Sequence, residues 1–157
     1  MKSYQLEIFA DYNQILLHDE SIEDDAAESW GEEAYKQMVD TFDGCVALAT
    51  ARNLDVPVEI VVCDTEPLED ANSWDHIVQC SINLPSGKLV VRGVSDYLPD
   101  AKRIELEPGQ YSVWLLYSGL NTLSDDGLDG NDHYKVVLWR SRAPLALDVL
   151  KDSGFNS

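Results

Sequence analysis

A chain of 157 residues is long enough for one domain that buries roughly 70% of the surface its unfolded form would expose, so no disulfide or metal staple is needed for it to fold. A hydrophobic content of 45% with 25% charged residues excludes a wholly disordered chain. The sign of the charge excludes more: 29 Asp and Glu stand against 11 Lys and Arg, a formal net charge of −18. Phosphate backbones and anionic membranes would have to overcome that field, which leaves a basic protein, a cation or a neutral ligand as the expected partner classes.

The N-terminus, MKSYQLEIFADYNQ, lacks a basic start leading into an apolar stretch with a small-residue cleavage site, so it does not read as a secretory signal. Apolar runs fall short of a membrane span, and the expected location is the cytoplasm. In chain order, runs with period two or continuous apolar character predict strands over Tyr4 to Phe9 and Asn13 to His18. A helix is then expected over about residues 25–42, because Trp30, Ala34, Met38 and Phe42 recur at spacings of four and fall on one stripe. Asp43-Gly44 should stop it.

Strands follow over Cys45 to Thr50, Val58 to Cys63, His76 to Leu84, Lys88 to Val94, Lys102 to Glu107, Gln110 to Ser118 and Tyr134 to Arg140. Alternation is clearest in the third of these, where Val78, Cys80, Ile82 and Leu84 share one face and Ile77, Gln79, Ser81 and Asn83 the other. Pro85-Ser86-Gly87 and Pro108-Gly109 supply turn chemistry, and Ala143 to Leu150 reads as a last strand or a short helix, with a lean towards helix. The expected fold is mainly β: a two-layer antiparallel β-sandwich with one inserted α-helix, formed by residues 1–157 as a single domain. Cys45, Cys63 and Cys80 are odd in number, never at C-x-x-C spacing and each in an apolar strand context, which reads as small core hydrophobes rather than a disulfide framework or zinc site.

Two features invite a metal reading. The stretch LSDDGLDGNDHY, residues 123–134, is rich in Asp and Gly, but counted from Asp125 it places Gly127 at the third position of a calcium loop and Val136 at the twelfth, where ligands are required. A looser calcium site from Asp125, Asp129 and Asp132 stays open as the alternative, a calcium- or ligand-binding β-sandwich. Asp75-His76 and Asp132-His133 each precede an apolar run, so the two histidines could meet at one end of the sandwich as a metal or general-base pair. No G-x-S-x-G nucleophile and no Gly-rich phosphate loop is present. No cofactor and no enzymatic activity is expected.

The acidic stretch DESIEDDAAESWGEE, residues 19–33, holds no cation and has Trp30 inside it, while Trp74 sits in a second acidic stretch, DTEPLEDANSWDH. Aromatic anchors ringed by carboxylates suit a surface that binds a cationic protein. The expected contacts are Asp24, Asp25, Glu28 and Trp30 at the helix entry, Asp125, Asp126, Asp129 and Asp132 in the loop, and Trp74.

In order along the chain, DYNQ (residues 11–14), the Trp-led helix, DGCVALATARN (43–53) and LEPGQYSVW (106–114) resemble the ComJ-type competence protein family, small bacterial inhibitors of a nuclease. The resemblance covers most of the chain through short motifs. It implies a cytosolic or cell-associated β-rich protein that binds a nuclease one to one and blocks it; the net charge, separately, leaves no nucleic acid and no membrane as the expected partner. The segment from Pro67 to Pro99 and the DDGLDGNDH loop are longer than in that family, and the resemblance assigns no inhibitory residue.

Overall fold

The computed structural model describes residues 1–22, 30–42 and 44–156. Eleven strands and one α-helix are seen among them, and the strands form two sheets. The six-stranded sheet runs β1 (Lys2–Phe9), β5 (Asp55–Cys63), β10 (His133–Arg140), β9 (Gly109–Ser118), β6 (His76–Leu84), β11 (Asp148–Lys151). The five-stranded sheet runs β3 (Val39–Phe42), β4 (Cys45–Ala49), β2 (Gln14–Asp19), β7 (Lys88–Gly93), β8 (Lys102–Glu105). Neighbours are antiparallel except β10 and β5, which run parallel from Tyr134 opposite Val58 to Trp139 opposite Cys63.

The core lies between the sheets, and the period-two rule decides who enters it. Val78, Cys80, Ile82 and Leu84 of β6 face inward with Val56, Val58 and Ile60 of β5 and Val113, Leu115 and Tyr117 of β9, against Ile15, Leu17, Val46, Leu48, Leu89 and Val91 of the other sheet. Each such side chain contributes on the order of 1.5–3 kcal/mol by leaving water. The central strands of the larger sheet are apolar on their outer face as well. There Val61, Ile77, Leu116, Val137 and Trp139 form a second cluster, against which Trp74 and Leu145 pack. Leu145 is held there by Ser81, whose Oγ donates to its carbonyl at 3.1 Å and accepts from its N–H at 2.5 Å.

The helix, α1 (Glu32–Gln37), ends well short of the expected residue 42; residues 25–29 of the expected span lie outside the described residues. Met38 turns left-handed at φ 63° and sends its N–H back to the carbonyls of Ala34 and Tyr35. Its own carbonyl accepts from the Tyr117 hydroxyl at 2.6 Å and from Ala49 N–H at 2.9 Å, which draws the backbone out of the helix and into β3. The β-prone run VDTF then pairs with β4, Val39 opposite Leu48. Asp43, the expected stop, lies outside the described residues. The lean towards a final helix is also corrected, because Asp148 and Val149 pair with Gln79 and Val78 of β6 and extend the larger sheet.

None of the three cysteines forms a disulfide; Cys45 and Cys80 are buried and Cys63 is half-buried. Burial pushes the Cys80 thiol up to about 12, which makes it an inert apolar filler.

Candidate functional site

Two of the three non-glycine residues at positive φ among the described residues sit side by side in the DYNQ turn. Tyr12 sits at φ 57° and ψ 24°, followed by Asn13 at φ 58°. Left-handed geometry costs a residue with a side chain about 1–2 kcal/mol, and asparagine tolerates it better than tyrosine. The surroundings over-determine the turn. Asp11 Oδ1 accepts from Tyr12 N–H at 3.1 Å, Asn13 Nδ2 donates to the carbonyls of Thr50 and Ala51 at 3.2 and 3.4 Å, and Thr50 N–H returns to Asn13 O at 2.9 Å. Tyr12 is 70% exposed, so packing does not repay the strain.

That ring stands at the mouth of an open groove of about 880 Å³ between Tyr12, Trp30, Tyr35 and Phe155, with Gln14 and Asn53 also in its lining. The described lining is aromatic, aliphatic, hydroxyl and amide, with no charged side chain. Tyr35, on α1, is 55% exposed, and Asn156 Nδ2 ties the chain's end to the Tyr35 carbonyl at 2.9 Å. Trp30 packs its ring against the main core, with its indole N–H buried and unpartnered among the described residues. Asp11, Glu32 and Glu33 flank the turn and the helix start.

The Asp-rich loop separates into two roles. Asp126 Oδ1 accepts from Ser124 Oγ at 2.6 Å and Leu128 N–H at 3.0 Å, so it closes the turn on itself, and these bonds hold its carboxyl below the usual range. Asp125 and Asp129 are exposed. Asp132 is not a surface group: it is 1% exposed, with Oδ1 accepting from Arg52 Nε at 2.5 Å and Oδ2 from the Tyr134 hydroxyl at 2.6 Å. The same hydroxyl accepts from Ala51 N–H at 2.7 Å, and Arg52 Nη1 reaches Leu128 O at 3.5 Å. Burial, reinforced by Asp132, drives the Tyr134 phenol far up. Asp132 thus anchors the loop to the segment behind the groove. Among the described residues no three His, Cys, Asp or Glu side chains converge as metal ligands, so Asp125, Asp129 and Asp132 are not brought together.

The two histidines do not meet either. His76 lies opposite Tyr117 on β9 and His133 opposite Ser118, one position on, so the pleat sends them to opposite faces. His76 is fully buried, donating Nε2–H to Gln37 O at 2.7 Å and accepting Ser153 N–H on Nδ1 at 3.0 Å. His133 is exposed, with its ring 5.5 Å from that of Trp74. Trp74 therefore belongs to the outer face of the larger sheet, away from the cluster that holds Trp30. Asp24, Asp25 and Glu28 lie outside the described residues.

Sequence reasoning singled out Trp30 but missed Tyr12, Tyr35 and Phe155. The signal available was DYN, a turn tripeptide directly before a strand, with a tyrosine where turn chemistry would favour Gly or Asn.

This arrangement of strands is found in solved structures. ComJ, inhibitor of the DNA degrading activity of NucA, from Bacillus subtilis, superposes with a TM-score of 0.69 at 17% identity, covering 89% of this chain and 98% of that one. Crocagin biosynthetic gene J superposes with a TM-score of 0.57 at 22% identity, covering 90% of this chain and all of that one. No family model and no curated protein sequence matches the chain. At these identities the likeness is one of fold, and it is the fold that the resemblance implied.

Proposed function

We propose that this protein is an inhibitor that binds a basic nuclease one to one and blocks it, acting in the cytoplasm and without turnover of its own. The observation that supports the reading is the architecture shared with ComJ over nearly the whole of both chains. The charge supports it independently. A nuclease presents a basic groove for phosphates, and a protein of net charge −18 fills such a groove with carboxylates, gaining fast, electrostatically steered association. The carboxylates of the 19–33 stretch, among them Asp24, Asp25 and Glu28, together with Asp125, Asp126 and Asp129, are the proposed sources of that steering; Trp30 and Trp74 are the proposed anchors on their respective faces.

The test is titration of this protein into DNA digestion by the basic nuclease encoded nearest to it. Inhibition should saturate at one equivalent. Association should slow steeply between about 0.1 and about 1 M salt, where the Debye length shrinks from about 10 to about 3 Å. Asp125→Lys, at a carboxylate with no hydrogen bond among the described residues, should slow association and flatten that dependence with the fold unchanged. Undiminished digestion at a large excess of this protein would overturn the reading.

A further inference from the structure

We propose that the groove beside the DYNQ turn is where an arginine-bearing loop of the cationic partner docks, its guanidinium stacking between the exposed rings of Tyr12 and Tyr35. The inference rests on the inhibitor reading and adds to it the surface and the residue chemistry of contact.

Three observations carry it. The first is the strain at Tyr12. Tyr12 is held left-handed in a turn that one hydrogen bond from its own N–H to Asp11 and three made by the adjacent Asn13 fix in place; being 70% exposed, it has conformational cost without packing return. What the strain achieves is presentation: the ring is fixed outward at the groove mouth. Tyrosine offers large contact area with little rotamer freedom to lose, which makes pre-positioned tyrosines effective binding anchors.

The second is the lining. Aromatic faces and the amide side chains of Asn13, Gln14 and Asn53 surround a space with no described charged group in it. Gln14 is only 8% exposed and its Oε1 has no partner among the described residues. A guanidinium is the cation suited to such walls, because it stacks on rings, is more weakly hydrated than an ammonium and donates in several directions to amide oxygens.

The third is charge complementarity at the rim. Asp11 precedes Tyr12, and Glu32 and Glu33 open the helix that carries Tyr35. The nearby cations are already engaged, Lys36 with Glu32 at 3.4 Å and Arg52 with Asp132 at 2.5 Å. An incoming cation therefore meets Asp11 and Glu33, which have no ion pair among the described residues, and then aromatic walls.

Hexa-arginine is the probe, with hexa-lysine as the comparison, followed by amide NMR shifts of the intact chain. Hexa-arginine should shift Tyr12, Tyr35, Ala51 and Asn156, and bind at least severalfold more tightly than hexa-lysine. The informative variant is Tyr12→Asn, since asparagine accepts the left-handed turn: its melting temperature should hold or rise while affinity for hexa-arginine falls about tenfold. Shifts confined to residues 124–129, equal affinity for the two peptides, or unchanged affinity of the Tyr12→Asn variant would each overturn the proposal. If that variant still inhibits the nuclease at full strength, the groove fails and the inhibitor reading stands. If the wild-type chain takes hexa-arginine in the groove but inhibits no basic nuclease, the reverse holds.

Discussion

Removing the Asp132 carboxylate would leave the Arg52 guanidinium and the Tyr134 hydroxyl facing a space that solvent barely reaches. Breaking a buried pair from one side costs roughly 3 kcal/mol, so Asp132→Ala should lower the urea midpoint by that equivalent. Asp125→Lys, in the same loop but exposed, should stay within about 0.5 kcal/mol of the parent. Equal effects from the two would show that the anchor is dispensable. Histidine sets the second residue-scale expectation. Burial lowers the pKa of His76, and burial together with the neighbouring Arg92 lowers that of His18, from 6.5. Each binds its proton less readily in the folded chain than in the unfolded one, so stability should decline as pH falls through 6.5 and level off only below the lowered folded pKa values. Asp19 acts further down. Burial pushes its carboxyl up, but bonds from Ser21 and Ser86 outweigh it and hold the group below 3.8, so its contribution is lost only in stronger acid. Urea midpoints between about pH 7.5 and about pH 5.5 should drop for the parent and drop less for His76→Gln. A parallel decline in both would remove His76 as a source.

Among elements, the strands were the legible part. β6 and the inward set Val78, Cys80, Ile82 and Leu84 appear as the alternation requires. The helix was misjudged because a spacing of four records only that Trp30, Ala34 and Met38 can lie on one stripe. It does not record that the Tyr117 hydroxyl and Ala49 N–H compete for the Met38 carbonyl from distant strands. The stretch that forms β11 could be read as strand or helix, and the lean went to helix for a similar reason: four residues carry too little pattern, and pairing with β6 decides their conformation. The outer cluster had a trace in sequence, since β9 and β10 are apolar on both faces, as buried strands are, but nothing local said what covers them. Leu145 is part of that cover. Leu145→Ala should cost about 1 kcal/mol and red-shift tryptophan emission as Trp114 and Trp139, whose rings are 5.0 Å apart, become wetter; an unchanged spectrum would mean that other residues shield them.

At the scale of the molecule, charge and the two-sheet class were readable because both are sums over many residues. The groove was not, because it is assembled from the DYNQ turn, Trp30, α1, the end of β4 and the last residues of the chain, and no single window of sequence contains it. The same distance between sequence and space applies to the parallel pair of β5 and β10, where Val58 meets Tyr134. Closing a loop of that length costs entropy before any contact repays it. On a ribosome adding about 5–20 residues per second, β5 emerges and then waits on the order of 4–15 s for its partner strand. Throughout that interval one edge of β5 is an open template for stray pairing. A chain made this way reaches its folded form only after its last strands have left the ribosome, and its supply is set by how well that waiting edge is kept from other chains.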